Sequence, residues 1–158
     1  EKLPNICLVL IGEGTQRCLM MSFAERLNVS DRVTFTGYIP RKKLLTPLLR
    51  ASLFALHTRR PFHEGTNRAV SEAMSCGLPI VTTRSGGLPE LIVDGVNGFV
   101  VEPENVKHLT RAILTLLNNP ELRKKMGEAN KLKAKKYSAD ILTAKRYEYL
   151  SMLCGAIR

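Results

Sequence analysis

Residues 6–11 read ICLVLI, an unbroken apolar run that stops at Gly12-Glu13-Gly14. The run is too short to span a bilayer. Continuous apolarity, rather than alternation, is what a strand shows when helices cover both of its faces. Further short apolar runs follow at residues 33–36, 52–56, 79–82 and 98–101, and between them lie stretches of helical character. Helices are expected over about residues 16–27, from Pro40 to about residue 50, and over 68–75, where Cys76-Gly77 marks the end. A short element is expected at residues 89–93, then a turn at Asp94-Gly95. Strands alternating with helices predict an α/β chain built on a parallel sheet with helices on both faces.

Three helices are expected to close the chain. The first, residues 106–118, carries an apolar stripe of Val106, Leu109, Ile113, Leu116 and Leu117. The second starts after Pro120 and runs toward Tyr137. The third follows Ser138, a good N-cap, and reaches Cys154 with a stripe of Tyr147, Leu150 and Cys154. No internal repeat or linker interrupts the sequence, so residues 1–158 are expected to form a single domain.

The bulk properties narrow the function without naming it. The 158 residues carry a net charge of +10, which favours phosphate-bearing partners of any kind. Basic runs lie at residues 41–43, 123–125 and 131–136, yet the chain has no Trp and no aromatic residues interleaved with them. A base-stacking surface, and with it a nucleic-acid partner, is therefore not expected. Cys7, Cys18, Cys76 and Cys154 form no Cys-x-x-Cys pair, and the His spacing completes no metal site. Reduced thiols in a cytoplasmic protein are the expected reading. The first residue is Glu1, which points to a segment or a processed chain.

The chemistry concentrates in residues 64–79, EGTNRAVSEAMSCGLP. Gly65 and Thr66 precede the start of a helix, where unpaired amides and the helix dipole attract anions. Glu64 lies in the loop before that helix and Glu72 lies eight residues later, inside it. Both carboxylates can then face one ligand held over the carboxyl ends of the strands. A carboxylate only accepts hydrogen bonds and has two oxygens, so it suits the vicinal diol of a ribose or a hexose. The spacing alone is equally compatible with Glu72 pairing locally and Glu64 being a surface charge.

The segment resembles the Glu-x7-Glu signature of retaining glycosyltransferases with the GT-B fold, family 4, which reads about E-G-x6-E-A-M-A-C-G-x-P-V-V. Here the positions are Glu64, Gly65, Glu72-Ala73-Met74-Ser75-Cys76-Gly77, Pro79-Ile80-Val81. Downstream, Gly86-Gly87-Leu88-Pro89-Glu90 is similar to G-G-x-P-E, and Asp94-Gly95-Val96-Asn97-Gly98 to D-G-x-x-G. Upstream, Ile11-Gly12-Glu13-Gly14 is similar to V-G-x-G, and Phe35-Thr36-Gly37-Tyr38-Ile39 to F-x-G-x-V.

The resemblance implies the C-terminal, Rossmann-like half of a GT-B enzyme that binds a nucleotide-sugar donor. It implies that Glu72 holds the ribose hydroxyls and that Glu64 is the catalytic-site residue that orients the sugar. Backbone amides at Gly65, Thr66, Asn67 and Arg68 would meet the sugar or the distal phosphate. Tyr38 and Ile39 would lie near the base, and Gly12 and Gly14 would shape the cleft floor. The acceptor would be a glycan, a lipid-linked molecule or a small molecule, with peripheral contact at an anionic membrane. Rival readings within this resemblance are a GT-B-type epimerase and a non-catalytic nucleotide-sugar-binding module.

Negative charge builds on the leaving diphosphate as the glycosidic bond breaks, and pre-aimed amides and cations stabilise it. The chain has only Asp31, Asp94 and Asp140, with no Asp-x-Asp pair to hold a metal, so neither metal nor cofactor is expected. The resemblance also places an N-terminal acceptor domain, a first strand and an Arg and a Lys for the diphosphate before residue 1. These 158 residues alone are therefore expected to bind donor weakly and to transfer nothing. Departures from the family pattern are the long basic loop at residues 57–63, and Asn67 and Arg68 in place of apolar residues.

Overall fold

The computed structural model describes residues 6–58 and 68–137. The expected helix after Ser138, with its stripe of Tyr147, Leu150 and Cys154, lies outside the described residues. The chain divides into two compact units, Glu1–Pro47 and Leu48–Arg158.

In the first unit, strand β1 (Leu8–Ile11) pairs in parallel with β2 (Val33–Gly37), in the register Leu8 to Val33 through Ile11 to Gly37. Helix α1 (Arg17–Arg26) connects them, followed by a 3-10 turn at Ser30–Arg32 that the sequence reading did not anticipate. Helix α2 (Arg41–Arg50) follows, with Pro47 inside it. The expected burial of β1 on both faces is not met: Leu8, Val9 and Ile11 are 49%, 46% and 40% exposed. Among the described residues this sheet has two strands, and Leu19, Met20 and Phe23 of α1 are themselves exposed. Ala24 is the one buried residue of α1.

The second unit holds a three-stranded parallel sheet in the order β3 (Phe54–Leu56), β4 (Ile80–Thr83), β5 (Gly98–Val101). The central strand β4 is buried at all four positions, which is why its IVTT run shows no alternation. Helix α3 (Arg68–Ser75) lies between β3 and β4 in sequence and packs on both. A short helix α4 (Leu88–Leu91), then α5 (Val106–Asn118) and α6 (Pro120–Lys136), complete the described chain. Val81, Val101, Ala112, Leu116 and Met126 form a core shared by sheet, α5 and α6. Leu109 and Ile113 of the expected α5 stripe pack against that core, but Val106, the first residue of the helix, is 71% exposed.

Helix ends follow local chemistry. Asn105 accepts from the His108 amide at 3.0 Å, and Asn119 from the Leu122 amide at 2.9 Å, each capping a helix start. Gly77 ends α3 at φ +74°, with its amide on the Met74 carbonyl and the Leu78 amide on the Ala73 carbonyl. That double bond pattern with a left-handed residue is the Schellman cap. Arg123 Nη1 donates to the Leu116 and Leu117 carbonyls at 2.6 and 2.7 Å and closes the end of α5. One member of the basic run at 123–125 thus serves the helix dipole rather than a ligand.

Gly127 sits mid-helix in α6, where a Cβ would strike the Gly77 carbonyl. Alanine there gains about 1 kcal/mol of helix propensity. It also forces α6 off the α3 cap, an overpacking cost of roughly 1–3 kcal/mol. Gly127→Ala should therefore lower the urea midpoint, and a midpoint equal to or above that of the parent would contradict the packing described.

Candidate functional site

Because β3, β4 and β5 are parallel, their carboxyl ends lie along one edge of the sheet. That edge is where open α/β sheets hold ligands. Helix α3 follows the exit of β3, so its first residue, Arg68, stands at this edge and is exposed. Glu72 lies one turn further along α3 and is half-buried. Its neighbours Val70, Ala73 and Met74 are at most 1% exposed. The sequence expectation of a carboxylate in a partly dry setting holds for Glu72. Glu64, Gly65, Thr66 and Asn67 fall outside the described residues.

The electrostatics around Glu72 register at Cys76, one turn on. Burial pushes the Cys76 thiol above its ordinary value, the Glu72 charge pushes it the same way, and Lys131 pulls it back down. On α6, burial lowers the Lys133 ammonium, whose Nζ donates to the Glu90 carbonyl at 2.7 Å. Arg84, just past β4, pairs with Glu102, just past β5, at 2.8 Å, with both side chains more than half exposed.

In the first unit, Gly12 follows β1 at φ +128°, and its amide donates to the Gly37 carbonyl at 3.0 Å. The structure therefore brings Gly12 beside the turn that carries Tyr38 and Ile39. Tyr38 is 75% exposed and Ile39 half-buried, while Gly14 is exposed. Next to them, Arg17 Nη1 bonds Glu13 at 2.8 Å. Among the described residues, no group of three or more His, Cys, Asp or Glu side chains could hold a metal ion. Among them, too, no helix is long and apolar enough to cross a membrane.

Residues the sequence reading passed over brace this edge. Thr58 and Thr83 join across the carboxyl ends of β3 and β4, and Thr82 bonds the Leu56 carbonyl at 3.1 Å. Behind the edge, Asn97 and Asn130 bond one another at 2.7 Å in the interior. The Thr82-Thr83 pair at the end of a fully buried strand was the only local signal for the first group.

Residues 1–133 match the family model "Glycosyl transferases group 1", and the chain belongs to that family. The GDP-mannose-dependent alpha-(1-6)-phosphatidylinositol monomannoside mannosyltransferase of Mycolicibacterium smegmatis is 34% identical over 135 residues, covering 83% of this chain and 35% of that protein. The N-acetyl-alpha-D-glucosaminyl L-malate synthase of Bacillus anthracis is 31% identical over 121 residues, covering 77% of this chain and 30% of that one. The chain thus spans about a third of the length of the curated relatives it matches. Among solved structures, sucrose-phosphate synthase from Thermosynechococcus elongatus superposes with a TM-score of 0.83 at 23% identity, covering 98% of this chain and 40% of that one. HepE of Anabaena, in complex with UDP-glucose, gives 0.78 at 25% identity, covering 94% and 42%. The parallel α/β architecture and these neighbours define the GT-B glycosyltransferase fold, of family 4 type.

Proposed function

We propose that this chain is the donor-binding part of a retaining glycosyltransferase, which moves a sugar from a nucleotide-sugar to a glycan, lipid-linked or small-molecule acceptor. The observation that carries this reading is Glu72: a half-buried carboxylate on α3, the helix between the parallel strands β3 and β4, in a glycosyltransferase family chain. Glu72 accepts from the ribose diol, and Glu64 accepts from sugar hydroxyls. Amides from Gly65 to Arg68 and the α3 dipole take up the charge that develops on the leaving diphosphate. Tyr38 and Ile39 bound the base, beside Gly12 and Gly14. A GDP-mannose-dependent relative and a structural neighbour in complex with UDP-glucose support a nucleoside-diphosphate sugar of this general kind.

In this reading the acceptor domain and the diphosphate-binding Arg and Lys come from the rest of the enzyme, of whose relatives the chain spans about a third. The positive charge of the chain suits a peripheral position on an anionic, cytoplasmic membrane face.

Turnover in this reading needs no metal. In the full-length protein, slow donor hydrolysis without acceptor should persist in excess EDTA. The sugar released first, followed by NMR before mutarotation, should keep the donor's anomeric configuration. Loss of hydrolysis in EDTA, or release of the opposite anomer, would contradict the proposal.

A further inference from the structure

A cavity of about 400 Å³ opens between α3, α4 and α6, all within the second unit. That volume is in the range of small-molecule pockets. Met74 of α3 and Leu91 of α4, 1% and 3% exposed, give it an apolar floor that Ala134 of α6 extends. Its polar lining is Ser71 and Ser75 of α3, Lys131 and Lys135 of α6, and Tyr137 just past the end of α6. Among the described residues no carboxylate lines it.

The polar groups divide into those already used and those left over. Ser75 Oγ donates its proton to the Ser71 carbonyl at 2.9 Å, so it offers no donor to the cavity. The half-buried Ser71 hydroxyl has no partner among the described residues, and neither lysine has a carboxylate partner there. Lys131 and Lys135 stand one helical turn apart, with Cβ atoms about 5–6 Å from each other, a spacing at which like charges repel. Lys133, between them in sequence, is taken up by the Glu90 carbonyl. The helix dipole favours Lys135 in the last turn of α6, but Lys131 lies further back, beyond that effect. Lys131 is nonetheless held close to α3. Its methylenes lie where a Cβ on Gly77 would stand, and its charge pulls the Cys76 thiol down against burial and Glu72.

Two cations and free hydroxyl donors, with no acid among them, match a dianion that accepts hydrogen bonds. A phosphate monoester carries about 1.5 to 2 negative charges at neutral pH and three acceptor oxygens. Inorganic phosphate would leave the apolar floor in contact with water. A phosphate on an apolar stem satisfies both parts of the lining.

We infer that this cavity is a binding site for an amphiphilic phosphate monoester, its phosphate among Lys131, Lys135 and Ser71 and its apolar stem over Met74 and Leu91. The inference stands apart from the donor reading, because none of these residues is assigned to the nucleotide-sugar.

The test uses the full-length protein and monomeric dihexanoyl phosphatidic acid, titrated by calorimetry. Wild type should bind it saturably, and should bind glycerol 3-phosphate and dihexanoyl phosphatidylcholine at least about tenfold more weakly. Lys131→Gln/Lys135→Gln should lose at least about tenfold in affinity for phosphatidic acid. Its donor hydrolysis should stay within about twofold of wild type, which shows that the variant is folded. Bound phosphate offsets the pull of Lys131 on Cys76, so saturating phosphatidic acid should slow Cys76 alkylation in wild type and not in the double variant. Retention of wild type, but not of the double variant, on phosphatidylcholine vesicles carrying phosphatidic acid identifies a membrane headgroup as the source. Lysine-dependent monomer binding without such retention identifies a free molecule, and either result upholds the site. Affinity unchanged in the double variant overturns the inference, as does displacement of phosphatidic acid by UDP or GDP. Glycerol 3-phosphate binding as tightly as phosphatidic acid overturns it too, since the apolar floor then contributes nothing. Lysine-dependent binding in a protein that takes no nucleotide upholds this site and removes the donor reading alone.

Discussion

Replacing Glu72 by Ala in the full-length protein should weaken donor binding by roughly 30- to 1,000-fold. The estimate takes two charge-assisted hydrogen bonds to the ribose diol, together about 2–4 kcal/mol, at 1.4 kcal/mol per tenfold. Glu72 is half-buried on α3, so the melting temperature of the variant, recorded beside its affinity, separates loss of binding from loss of fold. Glu72→Gln should fall between the two, since an amide keeps one acceptor and loses the charge. Cys76 provides an internal control. The Glu72 charge is one cause of its raised thiol pKa, so Glu72→Ala should speed Cys76 alkylation at mildly alkaline pH, as followed by peptide mass spectrometry. A Glu72→Ala protein that keeps wild-type donor affinity while showing the faster Cys76 would mean that the carboxylate is present and charged but idle.

The largest stability effect should come from Asn130→Ala. Asn130 is fully buried in α6; its Nδ2 donates to the Leu78 and Asn97 carbonyls at 2.7 Å each, and its Oδ1 accepts from Asn97 Nδ2 at 2.7 Å. Asn97 in turn donates to the Leu91 carbonyl and accepts from the Val93 amide. The network thus ties α6 to the strand-entry turn after α3 and to the turn before β5. Truncation strands several buried polar groups, each worth about 1–3 kcal/mol, so a total loss of roughly 3–5 kcal/mol is expected. That is a large share of the 5–15 kcal/mol typical of a domain. Because both asparagines act as one unit, the urea-derived loss in Asn97→Ala/Asn130→Ala should fall short of the sum of the singles by more than about 1 kcal/mol. Strict additivity would show that the two side chains act separately.

These two residues also mark how far the sequence could be read. The order of strands and helices was legible because apolar runs, Gly turns and Pro starts are local signals. Strand starts came out early, at residue 6 against Leu8 and at residue 52 against Phe54, since an apolar run continues past the point where pairing begins. The covering of β1 was misread because continuous apolarity says what a strand could bury, not what lies over it. Glu72 was legible through the spacing and family pattern of a continuous segment. Asn130 was not: it hides in a lysine-rich stretch that reads as a solvated face, and its partners lie 33 and 52 residues away. The Thr58–Thr83 hydrogen bond spans 25 residues and was invisible for the same reason. Arg123 likewise read as surface charge until the two carbonyls it caps were in view.

Glu72 as the ribose carboxylate is tested most directly by calorimetric titration of the full-length protein with UDP, GDP and ADP, each against its 2′,3′-dideoxy form, on wild type and on Glu72→Ala. One ribonucleotide should bind saturably to wild type, its dideoxy form should bind far more weakly, and Glu72→Ala should no longer distinguish them. Equal binding of both forms to wild type, or discrimination that survives in Glu72→Ala, would contradict the assignment.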